Sequence, residues 1–339
     1  MSKVYFKRYE GHDNSVLSAI AKEMLEQLVE KDGHELMKNV PIKVHFGEKG
    51  NKTFVPAACY DGIIDYLEEN QRETSFIETN VLYRGQRTTK ENHINVAKDH
   101  GFTRVPIIIA DGEMGEAVHE VEINKEYFDK VKIGAAFKDY EQIIVMSHFK
   151  GHGLAGFGGA LKQLAMGFAS RSGKMAQHSR MVPTVNSKKC ISCGVCVNKC
   201  DVDAITIDEF AEISADKCIG CAGCIAVCPV GAIKNDWGAS NFREKITEYA
   251  YGAQLNKKHL YITFMINITK DCDCVGEEMH PIAKNFGVLA SVDPVALDTA
   301  CINLLQEEEH VDLFNTGRES LVHAGHIHFG SDKYELIEL

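Results

Sequence analysis

No apolar run in this sequence approaches the roughly 20 residues that cross a bilayer; stretches such as 105–110 are far too short. The opening residues Met1-Ser2-Lys3-Val4-Tyr5-Phe6-Lys7 lack the apolar core of a signal peptide. These absences predict a cytoplasmic protein with no membrane span. An excess of basic charge is missing too. The 339 residues hold 37 Lys and Arg against 48 Asp and Glu, a net charge of −11, which argues against nucleic acid as a partner. Low-complexity sequence is not expected either, because 45 % apolar and 25 % charged residues is the mixture of an ordinary globular chain.

The most informative absence is local. From residue 142 through residue 200 there is no Asp or Glu, where a stretch of this length at average composition would hold about eight. It carries instead Lys150, Lys162, Arg171, Lys174, Arg180, Lys188, Lys189 and Lys199, together with His148, His152 and His178. A basic island in an acidic chain calls for anions. Thiolate-ligated clusters account for its downstream part; the upstream part needs another anion.

Cysteine, by contrast, is plentiful: 12 residues, eight of them between Cys190 and Cys228. Disulfide frameworks belong to small secreted chains, so ligation of a cofactor explains this pattern better. Cys190, Cys193, Cys196 and Cys200 read C-x2-C-x2-C-x3-C, and Cys218, Cys221, Cys224 and Cys228 repeat that spacing 28 positions later. The repeat extends past the ligands, CISCGVCVNKCDVDAI being echoed by CIGCAGCIAVCPVGAI. It is an internal duplication. Three thiolates two residues apart wrap one face of a cubane only if the backbone turns tightly, and Gly194, Gly220, Ala222 and Gly223 permit that turn. The fourth cysteine reaches the partner cluster. The expectation is therefore two [4Fe–4S] clusters, one on Cys190, Cys193, Cys196 and Cys228, the other on Cys218, Cys221, Cys224 and Cys200. Structural zinc also takes four thiolates but uses two C-x2-C pairs with a longer gap. Residues 184–236 thus resemble a bacterial two-cluster ferredoxin, with one departure: Cys200 is followed by Asp201, where the second quartet has Cys228-Pro229.

On either side of this segment helix and strand signals alternate, which predicts an α/β fold, a mostly parallel sheet with helices on both faces, interrupted by a small α+β insert. The domains expected are 1–183 and 237–339 as two parts of one host and 184–236 as the insert. Helices are expected near 57–69, 91–100, 160–169, 242–254 and 295–305, and one capped by Asn14 with Val16, Ile20, Met24, Leu25 and Leu28 on its apolar side. Strands are expected at 42–46, 75–79, 106–110, 142–146, 260–268 and 288–291. Ligands of such sheets bind beyond the carboxyl ends of the strands. Residues near those ends here are Lys43, His45, Asn80, Asp111, His148, Lys150, His152, the run Asp271-Cys272-Asp273-Cys274, and Asp293 and Asp298.

The run Gly151-His152-Gly153-Leu154-Ala155-Gly156-Phe157-Gly158-Gly159 lies between a strand and a helix. Glycines let backbone N–H groups approach an anion, and the helix N-terminus adds favourable charge. The segment contains G-x-G-x-x-G, but no carboxylate follows about 20 residues on to hold a ribose, so a phosphate, a carboxylate or a flavin phosphate is expected rather than a nicotinamide. Asp271, Cys272 and Cys274 combine thiolate and carboxylate, a set suited to a transition metal or to redox work, with packing cysteines and turn aspartates as the alternative. Cys59 and Cys301 read as core. The tail His323-Ala324-Gly325-His326-Ile327-His328 reads as one face of a surface strand.

Several segments together resemble the domain-of-unknown-function family 362: SHFKGHGLAGFGGALKQLAMG, VHFGEKGNKTFVP, ETNVLYRGQRTTKENH, DCDC and ASVDPVALD. They span residues 41 to about 303. Members often carry a two-cluster ferredoxin module in the same place, so the resemblance implies an iron–sulfur protein and carries Lys162 over as a site residue; the family's LKN-type segment reads Leu161-Lys162-Gln163 here. It implies no reaction. The function expected is an oxidoreductase-type electron relay between a redox partner protein or small carrier and a host site binding an anionic small molecule. His148, Lys162 and Asp293 are its candidate catalytic residues. Lys150, Gly151, Gly153, Gly156, Gly158, Lys43, Asn80 and Arg84 are its candidate binding residues. The alternatives are a plain electron carrier and a metal- or cluster-handling protein using Cys272 and Cys274.

Overall fold

A single antiparallel strand in an otherwise parallel sheet decides which loops meet. The computed structural model describes every residue except 84, 179–181, 201, 219, 221, 235–240 and 311–313. Eight strands form the main sheet: β1 (Ser2–Arg8), β2 (Ile42–Lys43), β3 (Phe76–Glu78), β4 (Ile107–Ile109), β5 (Ile144–His148), β6 (Leu260–Met265), β7 (Gly287–Ser291) and β8 (Tyr334–Glu338). Their order is β8-β1-β7-β6-β5-β2-β3-β4. Every neighbouring pair is parallel except those of β7, which runs against both β1 and β6.

Successive side chains of a strand point to opposite faces, and here both faces are buried. On β6, Tyr261 and Met265 enter one apolar core while Ile262 and Phe264 enter the other. The second core is covered by α1 (Asn14–Glu26), α2 (Asp61–Glu69) and α3 (Lys90–Asp99), through residues such as Leu17, Ile63 and Ala97. The first is covered by α4 (Ala160–Phe168), α8 (Phe242–Gln254), α9 (Pro294–Glu309) and α10 (Arg318–His326), through Leu164, Tyr249, Leu297 and Leu321. Between α4 and α8 in the chain come α5 (Arg171–His178), α6 (Val195–Asn198) and α7 (Gly223–Val227). Each fully buried aliphatic side chain contributes about 1.5–3 kcal/mol, so these two layers hold the sheet that positions the site.

The α/β class and the helices on both faces agree with the sequence reading. Details differ. Asp13, not Asn14, caps α1, its carboxylate accepting from Ser15 N at 2.8 Å, and Val16 is exposed. β2 is only two residues long; beyond it Val44 N still donates to the Ile77 carbonyl at 3.4 Å, and Val44 and Phe46 are buried. The outer strands β1 and β8 were not expected from the sequence. The histidine-rich tail is helical, not a strand: α10 runs to His326, and His323 is buried against Glu248 at 3.3 Å.

None of the described residues of 184–234 joins the main sheet. Thr184–Val185 pairs with Ile233–Lys234, and Ile205–Ile207 pairs with Ala211–Ile213. Moving Thr184 forward and Lys234 back by the 28-residue repeat gives Glu212 and Thr206, which also face each other, so the two hairpins are related by exchange of the two repeats. The helices follow the same offset, α6 starting after left-handed Gly194 and α7 after left-handed Ala222. The sequence duplication is a duplication of structure.

Candidate functional site

The carboxyl ends of β2, β3, β5 and β6 converge on one cavity of about 250 Å³. His45 reaches it from the exit of β2, Glu78 and Thr79 from β3, His148 and Lys150 from β5, and Cys272 and Cys274 from the loop after β6. α4 supplies Lys162 and α5 supplies Lys174 and His178. Tyr83 and Arg87 close one side. Of the sequence candidates, His45, His148, Lys150, His152, Gly158, Lys162, Cys272 and Cys274 line this space. The sequence reading missed Glu78, Tyr83, Arg87 and the contribution of α5.

Charge is arranged in shells. Arg87, Lys150, Lys162 and Lys174 face the cavity with Glu78 as the lining carboxylate. The counter-ions of two of these cations sit behind it. Arg87 Nε pairs with Glu48 at 3.2 Å, and Lys150 Nζ pairs with Asp273 at 2.9 Å, all four groups buried. His148 Nε2 donates to the carbonyl of Ile266 at 2.7 Å, and its Nδ1 is hydrogen-bonded to the Asp273 carboxylate at 2.9 Å. It is therefore a fixed wall of the cavity. Burial works to raise the pKa of Asp273, but His148 and Lys150 hold it well below the usual carboxylate range. Lys43 lies beneath the floor, paired with Glu78 at 2.9 Å. Lys174 donates to Thr79 Oγ1 at 2.5 Å and to the Ala169 carbonyl at 2.8 Å, and burial brings its pKa down to about 8. The neighbouring histidines are neutral: burial, then Arg87, lowers His45, and burial, then Lys162, lowers His152 and brings His178 to about 3.

The two sulfurs form the centre of this arrangement. Lys162 Nζ donates to Cys272 Sγ at 3.4 Å. The hydrogen bond from Cys274 lowers the Cys272 pKa most, Lys162 and Lys150 add to it, and together they outweigh burial. The same bond, with burial, pushes Cys274 well above the ordinary thiol value. These neighbours favour the charged form at Cys272 and the proton at Cys274. Asp271 is exposed and lies off the cavity lining. Among the described residues no three His, Cys, Asp or Glu side chains converge on a point as ligands of a single metal ion.

The glycine-rich segment is a tight β-hairpin, Lys150–His152 paired with Gly156–Gly158. Its glycines answer to packing. A Cβ on Gly151 would run into the Lys270 carbonyl, and Gly156, at φ +82°, lies against the backbone of Gly317. The helix N-terminus beyond it is already engaged: Asp298 accepts from Ala160 N at 2.7 Å and from Leu161 N at 2.9 Å. The anion expected at this turn is a carboxylate of the chain itself. Burial pushes its pKa up to about 7 against the pull of those two donors.

Asn80 and Asp293 fall elsewhere. Asn80 is buried beside the cavity, its amide held by Asp111 at 3.2 Å and by the Gly112 carbonyl at 3.0 Å. Asp293 is at the opposite edge of the sheet, because β7 is antiparallel and its carboxyl end points away. There it caps α9, accepting from Val295 N at 2.9 Å and from Ser2 Oγ at 2.8 Å. Arg84 lies outside the described residues.

In the duplicated segment the cysteines gather around two narrow cavities. One is lined by Cys190, Cys193, Cys196 and Cys228, the other by Cys200, Cys218 and Cys224; Cys221 lies outside the described residues. The fourth cysteine of each repeat therefore faces the other repeat's cavity. Backbone N–H groups point at the sulfurs: Ala204 to Cys200 at 3.2 Å, Ala232 to Cys228 at 3.2 Å and Ala211 to Cys190 at 3.4 Å. Donors of this kind stabilise thiolate and are a tuning element of iron–sulfur sites. The donor set and its surroundings fit a thiolate-bound cluster.

Helix α5 connects the two regions. Its Lys174 and His178 line the main cavity, while Met175 between them packs into the apolar core of the duplicated segment, as does Leu82 beside Tyr83.

Among solved structures, this chain is similar to a Thermotoga maritima protein, with 13 % identity over 88 % of this chain and 60 % of that one and a TM-score of 0.46. It is also similar to the lactate racemase apoprotein of Thermoanaerobacterium thermosaccharolyticum, with 14 % identity over 90 % of this chain and 57 % of that one and a TM-score of 0.45. The chain thus spans about three fifths of the length of each. No curated protein sequence matches it. The sequence profile described as domain of unknown function (DUF362) matches residues 40–303, most of the chain, and the chain belongs to that family.

Proposed function

We propose that the protein is an iron–sulfur redox protein whose strand-edge cavity binds a small anionic molecule. Cys190, Cys193, Cys196 and Cys228 would hold one [4Fe–4S] cluster, and Cys200, Cys218, Cys221 and Cys224 the other. When bound, such clusters transfer single electrons. The observation that carries the reading is the position of α5 and Leu82, which pack against the cysteine-rich core on one side and face the cationic cavity on the other.

The residues of the chain divide the work. Lys162 and Lys174 present cationic heads to the cavity. Lys150 and Arg87 are oriented by buried carboxylates and lend their field to whatever lies in front of them. Neutral His152 and His178 supply hydrogen bonds without further charge. A carboxylate, a phosphate or the phosphate of a flavin fits this lining. On the outer side, the rim of the first cysteine cavity carries exposed Ile191 and Val230, the contact expected for a redox partner protein or small carrier.

The test uses the anaerobically purified protein and its small-molecule extract. The proposal expects a bound anion that is lost in Lys162→Ala and Lys174→Ala while the cluster spectrum is unchanged. A protein that carries no anion and exchanges electrons at full rate after both changes is a carrier only, and the proposal fails.

A further inference from the structure

We propose that Cys272 and Cys274 are a redox-active thiol pair that exchanges with small anionic disulfides inside the strand-edge cavity. The inference stands on the host cavity alone and does not depend on what the cluster cysteines bind.

Four observations converge on it. The pair sits in a hydrogen-bonded turn, Val275 N donating to the Cys272 carbonyl at 2.9 Å. Residues two apart in a chain are separated by at most about 7 Å, and a turn shortens that into the roughly 4.4–6.8 Å range over which a disulfide closes. Both cysteines line the cavity, so a ligand that enters meets both. Cys59 and Cys301, the other cysteines outside the duplication, are buried in the two cores and line no part of it. The two sulfurs are already differentiated: Lys162 donates to Cys272 Sγ at 3.4 Å, and Cys272 is buried while Cys274 is partly exposed. Finally, Arg87, Lys150, Lys162 and Lys174 face the space against one lining carboxylate, Glu78, which selects for negative charge in the ligand.

The chemistry is thiol–disulfide exchange. The Cys272 thiolate attacks one sulfur of a disulfide R–S–S–R; that S–S bond breaks, RS⁻ leaves, and Cys272 carries a mixed disulfide. Cys274 then gives up its proton to the leaving thiolate and attacks Cys272 Sγ. The second R–S group departs as thiolate and the Cys272–Cys274 disulfide forms. Two electrons pass from the protein thiols to the substrate disulfide, which becomes one RSH and one RS⁻. A dithiol reductant runs the sequence in reverse.

Trypsin releases residues 271–284 as one peptide whose only cysteines are Cys272 and Cys274, so its mass reports the pair directly. The intact protein, reduced and freed of reductant, is exposed to dithiodiglycolate, quenched with N-ethylmaleimide and digested. The expected product is this peptide, unlabelled and two hydrogens lighter. In Cys274→Ser, the mixed disulfide accumulates on Cys272. Dicationic cystamine should react at least about ten-fold more slowly than the dianionic reagent. A peptide that keeps two maleimide labels after prolonged exposure overturns the proposal. Equal rates with the two reagents overturn its anionic selectivity.

Discussion

Lys162 stands over Cys272, its ammonium donating to the sulfur at 3.4 Å, and the buried sulfur and half-buried lysine leave the contact only partly open to water. Burial alone would lower the Lys162 pKa and raise that of Cys272. Instead the two sulfurs raise Lys162, and Cys274, Lys162 and Lys150 lower Cys272. Both shifts favour the charged forms of the pair.

Alkylation of Cys272 should therefore persist at pH values below those of an ordinary thiol. A thiol with depressed pKa is nucleophilic down to that pKa, so removing a cation that depresses it moves the alkylation curve upward. Lys162→Gln should raise the half-alkylation pH by about one unit or more, read from the mass of the peptide 271–284 after iodoacetamide pulses. An unshifted curve would separate Lys162 from the thiolate.

Asp273 is the second buried junction, shared by His148 and Lys150. Its folded pKa is depressed below the unfolded value, so its contribution to stability is present at neutral pH and is lost as pH falls through the ordinary carboxylate range toward the folded value. Asp273→Asn should cost about 3–5 kcal/mol at pH 7, because it leaves Lys150 buried without its partner. The gap from the parent protein should narrow at about pH 3. Urea midpoints by circular dichroism at both pH values decide this; a gap that widens toward acid contradicts it.

Two glycines of one hairpin should behave differently. A Cβ at Gly151 meets the backbone carbonyl of Lys270, which cannot swing away, whereas a Cβ at Gly153 meets nothing within 4 Å. Gly151→Ala should lose about 2 kcal/mol or more, and Gly153→Ala should stay within about 0.5 kcal/mol of the parent. Equal losses in thermal or urea unfolding would show that the hairpin is not held as described.

Asp298 closes the same hairpin by capping α4. Asp298→Asn keeps the shape but offers one oxygen where two N–H groups need acceptors, and should cost about 1–2 kcal/mol. Asp298→Ala should cost more, and an unchanged denaturation midpoint in both would remove the cap from the account.

Much of this was legible in the chain because it rests on local pattern. The strand-exit residues of β2, β3, β5 and β6 could be placed because short continuous apolar runs end where polar residues begin. The acid-free stretch from 142 to 200 foretold a cluster of cations needing partners. Those partners were not legible. Asp273, which pairs with Lys150, and Asp298, which caps α4, arrive from segments distant in sequence, and nothing local marks a carboxylate as the partner of a group about a hundred residues away. Asp293 was misplaced for a related reason: residues 287–291 have the composition of a strand, but their direction depends on pairing with β1 and β6. The glycine-rich run was read for its backbone donors, whereas those of α4 serve an internal carboxylate. His323 was placed in a strand by its spacing, although helix packing against Glu248 governs it.

The crosswise arrangement of the eight cysteines is the central claim, and cluster analysis of Cys228→Ser beside the parent protein tests it most directly. Anaerobically purified parent protein should hold about eight iron and eight sulfide per chain. Cys228→Ser should perturb the same cluster signal as Cys190→Ser, and Cys200→Ser should perturb the other, as read by electron paramagnetic resonance of the reduced proteins. Zinc in place of iron and sulfide, or a Cys228→Ser signature matching that of Cys218→Ser, would contradict the account.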